Sequence, residues 1–278
     1  MVTGNNLQVR FFEKRTIFNK ANLASCELSI QLMPDGFSFL IHHPEQLKIL
    51  AIGSFKKENP SDNLLELLKD FWTKEPILNR QYKKVQFIYS SLHSIWTPKE
   101  LFDHDSIEQL FDFNIEKEES QVIINSFFPE QSAYLSYRID KEIHEFVQFN
   151  FPDSIQRHIT EVLFPIAYEE KQTYPKAFLY NNGSMMDLWV MNGKKLIFHK
   201  TFIVTNDEER AYYTFFSLKQ LEFSLQKMHL YLMGEFSESC LEYFTKYVRF
   251  VEHLKQEKFS EKELKKVPEN EFYPLLNC

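Results

Sequence analysis

Two segments of the chain carry the same pattern of apolar and polar positions. Alternation with a period of two predicts a hairpin of half-buried strands and a third strand beside it, and helical spacing of apolar residues predicts the helix that follows. A further apolar run then predicts a buried strand. In the first copy these elements are expected at residues 28–41, 47–55, 63–72 and 85–91. In the second copy they are expected at residues 177–193, 195–204, 207–223 and 228–237.

Turn residues define both hairpins. Pro34, Asp35 and Gly36 separate the first pair of strands, and Asn181-Asn182-Gly183 separates the second pair. Such sequences favour tight turns in which glycine accepts a positive φ angle. After the fourth strand of the first copy, Thr97-Pro98 predicts the start of a helix, because proline is favoured at the first helical position.

The remaining segments complete two lobes of one duplicated unit. The residue before a proline disfavours helix, so Tyr174-Pro175 predicts the boundary between a first lobe at 1–174 and a second at 175–278. The final apolar residues, 272–277, are expected to pack back onto the fold after a charged, solvated stretch at 255–270. In the middle of the chain, strands are predicted at 122–128, 133–139 and 155–159, and helices at 140–149 and 161–171.

A meander of three strands, then helix, strand and helix, given twice, resembles the actin-like fold of actin, sugar kinases and certain pilus-assembly and secretion-system proteins. The resemblance implies an α/β, duplicated actin-like (ribonuclease H-like) fold, with a mixed five-stranded sheet flanked by helices in each lobe. More closely, the chain resembles a family of uncharacterised bacterial proteins assigned this fold, and this resemblance implies no reaction. The residues that carry this likeness are Tyr137-Arg138-Ile139-Asp140-Lys141-Glu142, Phe151-Pro152, His158, Lys176 and Leu275-Leu276-Asn277-Cys278.

Composition limits the environment and the class of partner. Three cysteines in 278 residues, without a CxxC pair, argue against a disulfide framework or a thiolate zinc site. A net charge of −7 without a basic stripe argues against nucleic-acid binding. No signal-peptide core or membrane-spanning apolar run is evident, so we expect a cytoplasmic protein that does not insert into membranes.

Six residues mark a candidate nucleotide cleft between the lobes. An ATPase of the actin type needs backbone amides close to phosphate in the first hairpin turn of each lobe, and aspartates that hold Mg²⁺. The chain has only six glycines, and a neutral asparagine cannot neutralise Mg²⁺ as a carboxylate does. The candidate residues are Asp35 and Gly36 in the first turn, Asn181, Asn182 and Gly183 in the second, and Gly234 after the fourth strand of the second lobe.

Two functions remain open from these residues. The first is a non-catalytic scaffold that binds a protein partner and has a degenerate nucleotide cleft, with no cofactor. The alternative is an ATP-binding switch or weak ATPase of the actin-like superfamily that uses ATP with magnesium. The alternative is motivated by turn glycines at corresponding positions of the two copies.

Four other groups of residues could carry chemistry, and each has a structural interpretation that we prefer. Neighbouring residues of a strand face opposite sides, so a histidine doublet there cannot chelate one metal ion. A cysteine at helical spacing with apolar residues belongs to the core, and a serine after a strand lacks the glycines of a nucleophile elbow. The groups are His42-His43, Asp103-His104-Asp105, Cys240 with Phe244, Tyr247, Val248 and Val251, and Ser90-Ser91-Leu92-His93.

Overall fold

The computed structural model of the protein describes residues 7–15, 20–116, 120–169 and 174–278. These ranges contain fourteen strands and eight α-helices. The strands are β1 (Leu7–Lys14), β2 (Glu27–Met33), β3 (Gly36–His43), β4 (Lys48–Lys57), β5 (Lys84–Tyr89), β6 (Ser94–Pro98), β7 (Gln121–Phe128), β8 (Ala133–Asp140), β9 (Ile155–His158), β10 (Pro175–Asn182), β11 (Met185–Asn192), β12 (Lys195–Ile203), β13 (His229–Gly234) and β14 (Phe250–His253). The helices are α1 (Leu64–Lys74), α2 (Ile107–Asn114), α3 (Lys141–Asn150), α4 (Ile159–Glu169), α5 (Asp207–Gln220), α6 (Glu238–Tyr247), α7 (Glu261–Leu264) and α8 (Tyr273–Asn277).

Two mixed sheets share one topology. The first has the strand order β1-β4-β3-β2-β5-β9 and the second has the order β12-β11-β10-β13-β14. In each, three antiparallel strands are followed by two parallel ones. Five strands of one sheet therefore correspond to five of the other, which confirms the duplicated α/β fold.

The first sheet has six strands rather than the expected five. Strand β1 pairs antiparallel with β4 and extends the sheet at its edge. The register shifts between Val9 and Phe11, as in a β-bulge. This irregularity interrupts the alternation of apolar residues, so a period of two is hard to recognise in LQVRFFEK.

An inserted sheet distinguishes the first copy from the second. Strands β6, β8 and β7 form an antiparallel three-stranded sheet between β5 and α3, whereas β13 leads directly to α6. The helix predicted from Thr97-Pro98 is wrong, because both residues end strand β6, which pairs with β8. Since β6 lies at the edge of its sheet, a proline at its end leaves no ladder hydrogen bond unmade.

Strand β10 is buried on both faces and separates two cores. Phe178 and Tyr180 point into a large core that also contains the first sheet, α4 and the C-terminal residues. Ala177 and Leu179 point into a second core with residues of α5 and α6. Burial on both faces explains why this strand reads as an almost continuous apolar run.

The C-terminal residues join the two sheets. Helix α8 is buried and contacts β2, β3, β13 and α4, which confirms that residues 272–277 pack back onto the fold. The preceding stretch is less solvated than predicted, since Phe259, Leu264 and Val267 are buried.

The lobe boundary at residues 174 and 175 stays a prediction. No helix in the described ranges is long and apolar enough to cross a membrane.

Two buried histidines make the stability of the fold sensitive to acid. Burial, with a smaller contribution from Lys258 and Lys84, lowers the pKa of His42 to about 3, and burial lowers the pKa of His158 to about 3. Both ring nitrogens of His42 lack a hydrogen-bond partner among the described residues. Each histidine is therefore neutral in the folded protein at a pH where the unfolded chain binds a proton.

We expect His42→Leu to flatten the loss of stability between pH 7.5 and pH 5. With a folded pKa near 3 and an unfolded value near 6.5, the unfolded state binds more protons across this range, so stability falls as pH falls. One such histidine accounts for about 2 kcal/mol of that loss. Urea unfolding at both pH values measures it, with the exposed His104→Gln as control. Equal losses in wild type and His42→Leu would contradict the prediction.

Candidate functional site

The two hairpin turns singled out in the sequence contact each other across the lobes. Asp35 lies in the turn between β2 and β3, and Lys56 lies near the end of β4. The Lys56 ammonium is 2.9 Å from Asp35 Oδ2, and Ser184 Oγ, from the second turn, donates to the same carboxylate oxygen at 3.3 Å. Asp35 therefore binds both a cation of its own lobe and a hydroxyl of the other lobe.

Gly183 leaves room for the Lys56 ammonium. Its φ angle is +62°, as the turn sequence predicted, and a Cβ placed there would lie 2.5 Å from Lys56 Nζ. A cation of the first lobe thus packs directly against the backbone of the second turn. The space next to Gly183 is occupied by protein atoms.

Gly36 is required for a different reason from the one predicted. Its backbone is outside the left-handed region, but a Cβ there would lie 2.1 Å from the carbonyl oxygen of Phe55 on β4. The expectation of a positive φ at Gly36 is therefore wrong. Close approach of β3 to β4 explains the glycine, and no ligand has to be invoked.

Arg210 of α5 links the remaining candidate residues of the second lobe. Its Nε donates to Asn181 Oδ1 at 3.0 Å and its Nη2 donates to the Gly183 carbonyl at 2.5 Å. Asn181 in turn donates to the carbonyl of Glu235, next to Gly234. A Cβ on Gly234 would lie 2.2 Å from the Asn181 carbonyl oxygen, so these three residues form one compact group.

A hydrogen-bonded carboxylate holds Arg210 in place. Asp207 Oδ1 is 3.0 Å from Arg210 Nη1, and the hydroxyls of Ser237 and Ser239 both donate to Asp207 Oδ2. Burial works to raise the pKa of Asp207, but the serine hydroxyls and the guanidinium outweigh it, so the pKa is lowered. The carboxylate is charged at neutral pH and fixes the guanidinium against the turn.

Asn182 completes the contact between the lobes. Its Nδ2 donates to the sulfur of Met33, at the end of β2. The structure thus brings all six predicted residues to the region where the turns meet. Asp35 is the single carboxylate among them, and its charge is balanced by Lys56. Among the described residues, no group of three His, Cys, Asp or Glu side chains is placed to hold a metal ion.

Sequence reasoning missed Lys56 and Arg210. Both are charged residues in ordinary amphipathic segments, one on β4 and the other on α5. Lys56 is 127 positions from Gly183, and no local pattern signals a contact over that distance. Arg210 follows three acidic residues at the start of α5, which reads as a solvated helix terminus.

The segment Ser90-Ser91-Leu92-His93 lines an open groove of about 450 Å³ beside the first turn. Ser91 Oγ donates to the carbonyl of Arg138 at 2.6 Å, and it accepts from the backbone N–H of His93 at 3.3 Å. The hydroxyl is engaged in holding the chain between β5 and β6. This contact to His93 runs through its backbone, so it does not pair a nucleophile with an imidazole base.

The other candidate groups have structural contacts. His43 Nδ1 accepts from the backbone of Gln46, and Asp103 accepts from Ser106 and from the backbone of Asp105. Burial raises the pKa of Cys240 to about 12, which opposes thiolate formation. Cys240 and Phe244 lie in the second core as predicted, but α6 ends at Tyr247 and Val251 lies on β14.

Comparison with known proteins places the chain in a family. The model of a family described as "Protein of unknown function (DUF3822)" matches residues 14–254. The chain belongs to the DUF3822 family. A comparison with curated proteins found no significant match.

Solved structures show which fold this DUF3822 protein shares. A Bacteroides thetaiotaomicron VPI-5482 protein with actin-like ATPase fold and unknown function superposes with a TM-score of 0.78 and 22% identity, over 95% of this chain and 100% of the other. The PilM-PilN type IV pilus biogenesis complex gives a TM-score of 0.62 and 12% identity, over 90% and 97%. The DUF3822 protein therefore has an actin-like fold, as the sequence resemblance implied.

We expect Gly183→Ala to destabilise the protein more than Gly193→Ala. Both glycines have a positive φ, +62° and +57°, but a Cβ at Gly193 meets nothing within 4 Å. Left-handed backbone costs each alanine about 1 kcal/mol. At Gly183 the methyl group also displaces the Lys56 ammonium, and the lost ion pair adds about 1 kcal/mol.

Denaturant unfolding of both variants, in the wild-type and Lys56→Ala backgrounds, measures this difference. In the Lys56→Ala background the two glycine substitutions should cost the same, because no ammonium remains to be displaced. A difference that persists without Lys56 would show that the ammonium does not pack against Gly183.

Proposed function

We propose that this DUF3822 protein is a non-catalytic scaffold of actin-like fold with a degenerate nucleotide cleft. The observation that carries the proposal is the position of Lys56. Its ammonium, paired with Asp35, lies against Gly183, between the two turns where an actin-type ATPase binds phosphate. A nucleotide phosphate could enter only after this ion pair separates.

Further contacts between the lobes support a closed, ligand-independent arrangement. Gln31 of β2 donates to the hydroxyl of Tyr180 on β10 at 3.0 Å, in the buried interior. On the inserted sheet, the indole N–H of Trp96 donates to Nδ1 of His199 on β12 at 3.0 Å. The first hydrogen bond lies close to both turns along the chain, and the second joins the lobes far from them. Both bonds resist the opening that a nucleotide switch requires.

The inserted sheet also binds the edge of the second sheet. The side-chain amide of Gln131 donates to the carbonyl of Lys194 and accepts from the backbone N–H of Leu196, both at 2.8 Å. Gln131 thus satisfies backbone groups at the start of β12, as a neighbouring strand would. These contacts connect the inserted sheet to the second sheet, which supports a scaffold role.

The chemistry of the second turn supports the same proposal. Asn181 and Asn182 carry neutral amides, and both are engaged, one with Arg210 and the other with Met33. Mg²⁺ binding favours carboxylate oxygens that also contribute charge. We propose a protein as the partner and the cytoplasm as the location. A solved structure with a similar fold is that of the PilM-PilN type IV pilus biogenesis complex, which contains two different proteins.

We expect no thermal stabilisation of the wild-type protein by MgATP. A ligand present at 100 times its dissociation constant stabilises a fold by about 2.7 kcal/mol. For a chain of this length that energy corresponds to about five degrees. Differential scanning fluorimetry with and without MgATP measures the shift, and MgCl₂ alone is the control.

A shift of about five degrees that is lost in Gly183→Val would contradict the scaffold proposal and favour a nucleotide switch. The Lys56→Ala variant adds a second comparison. This substitution removes the ammonium but adds no carboxylate that could bind Mg²⁺. The unfolding temperature of the variant should therefore also be unchanged by MgATP.

A further inference from the structure

An exposed aromatic surface lies on the inserted sheet. Leu101, in the short 3₁₀ turn Lys99–Leu101 after β6, is 75% exposed, and Phe127 on β7 is 41% exposed. Phe102, which follows Leu101 in the chain, and Tyr134, which is paired with Phe127, are half-buried. We call these four residues the aromatic face. Clustered exposed apolar side chains are typical of surfaces that bind a partner.

The aromatic face is held in place by local contacts. The rings of Phe102 and Tyr134 stack with centroids 3.8 Å apart, and those of Phe127 and Tyr134 lie 4.9 Å apart. Phe127 and Tyr134 are direct partners in the pairing of β7 with β8. The backbone N–H of Lys99 donates to the carbonyl of Ser132 and fixes the turn that presents Leu101. A partner would therefore meet a preorganised surface, which lowers the entropic cost of binding.

The segment that carries half of this face is strongly acidic. Residues 100–116 contain six acidic residues and no Lys or Arg. The ammonium of the preceding residue, Lys99, lies 5.5 Å from the centroid of the Phe127 ring. One of them, Asp112, is paired with Arg138 at 2.7 Å. The acidic residues are Glu100, Asp103, Asp105, Glu108, Asp112 and Glu116. Glu100, Asp103 and Asp105 thus flank Leu101 and Phe102 along the chain and outnumber Lys99. Net negative charge attracts cations and repels phosphate groups.

Two hydroxyls on the same side of the inserted sheet have unmet hydrogen-bonding capacity. Thr97 pairs with Tyr134 between β6 and β8, and Ser136 follows Tyr134 by two positions, so all three share one side of the sheet. Thr97 Oγ1 and Ser136 Oγ are buried and have no hydrogen-bond partner among the described residues. Because both oxygens are inaccessible to solvent, they are not part of the surface that a partner would contact.

We propose that the aromatic face docks a cationic, amphipathic segment of a protein partner. Apolar side chains of that segment pack on Leu101 and Phe127, and its lysine or arginine side chains face the acidic border. Guanidinium groups also bind well over aromatic rings. An anionic membrane or a nucleic acid is repelled by the same border. The proposal rests on the scaffold function and names the chemistry of its partner.

The test uses a fluorescent amphipathic helical peptide of leucine and lysine, with a glutamate-for-lysine twin. Fluorescence anisotropy measures binding to the full-length protein. We expect the lysine peptide to bind, and Leu101→Ser with Phe127→Ser to weaken binding about tenfold. Glu100→Lys with Asp105→Lys should weaken it similarly, and salt should weaken binding to wild type more than to this charge-reversed variant. All four positions are exposed, so the variants should fold.

Matched controls replace residues elsewhere on the surface. Phe149→Ser removes a ring on α3 that is 87% exposed, and Glu58→Lys with Glu257→Lys reverses two other exposed charges. Both controls should bind the peptide as wild type does. Failure of wild type to bind, or equal binding by all variants, would overturn the docking proposal.

Three other results would also overturn it. They are binding of the glutamate peptide to the face, binding of phosphatidylglycerol vesicles that depends on Leu101, and self-association of the protein that Leu101→Ser abolishes. None of these results concerns the cleft between the lobes. The thermal response to MgATP tests the scaffold function separately, so the two proposals can fail independently.

Discussion

The contact between the two hairpin turns determines how the lobes of this protein relate to each other. Asp35 and Lys56 form an ion pair, and the ammonium packs against the positive-φ glycine of the opposite turn. A part-buried pair of this kind contributes only about 1 kcal/mol. Its importance is positional, because it links the hairpin turn of the first sheet to the hairpin turn of the second. The surrounding groups, Arg210 on one side and Met33 with Asn182 on the other, complete the interface between the turns.

The large core explains why this closure is stable. Helices α4 and α8 lie with both sheets around shared apolar residues, so the lobes are joined by packing as well as by hydrogen bonds. The inserted sheet adds a second connection through Trp96 and Gln131. The two sheets of this actin-like fold are therefore in direct contact through the protein's own side chains.

Local pattern was sufficient to predict the repeated elements of both sheets. The alternation around Gly36 and Gly183 and the helical spacing of α1 are signals within a few residues of one another, and the structure contains each of these elements. Strand β1 was missed because its bulge interrupts the alternation. The helix expected at Thr97-Pro98 was wrong because pairing with β8 outweighs the preference of proline for a helix start.

The candidate site was predictable only in part, because some of its residues meet only through contacts that are distant in sequence. Turn chemistry identified Asp35 and Gly183, which lie where the lobes meet. The residues that fill the space between them, Lys56 and Arg210, come from the end of a strand and the first turns of a helix. Nothing in their neighbourhoods distinguishes them from solvated charges, since the residues that they contact lie on other elements. Lys56 pairs with Asp35 of its own lobe but packs against Gly183 of the other lobe.

The distance between the lobes tests the closed arrangement most directly. Spin labels attached through p-acetylphenylalanine at exposed Lys69 on α1 and Lys219 on α5 would report it by double electron-electron resonance without using the native cysteines. A closed scaffold gives one narrow distance distribution that is unchanged by MgATP. A second, longer distance that disappears when MgATP is added would contradict it, because the lobes would then open and close on a nucleotide.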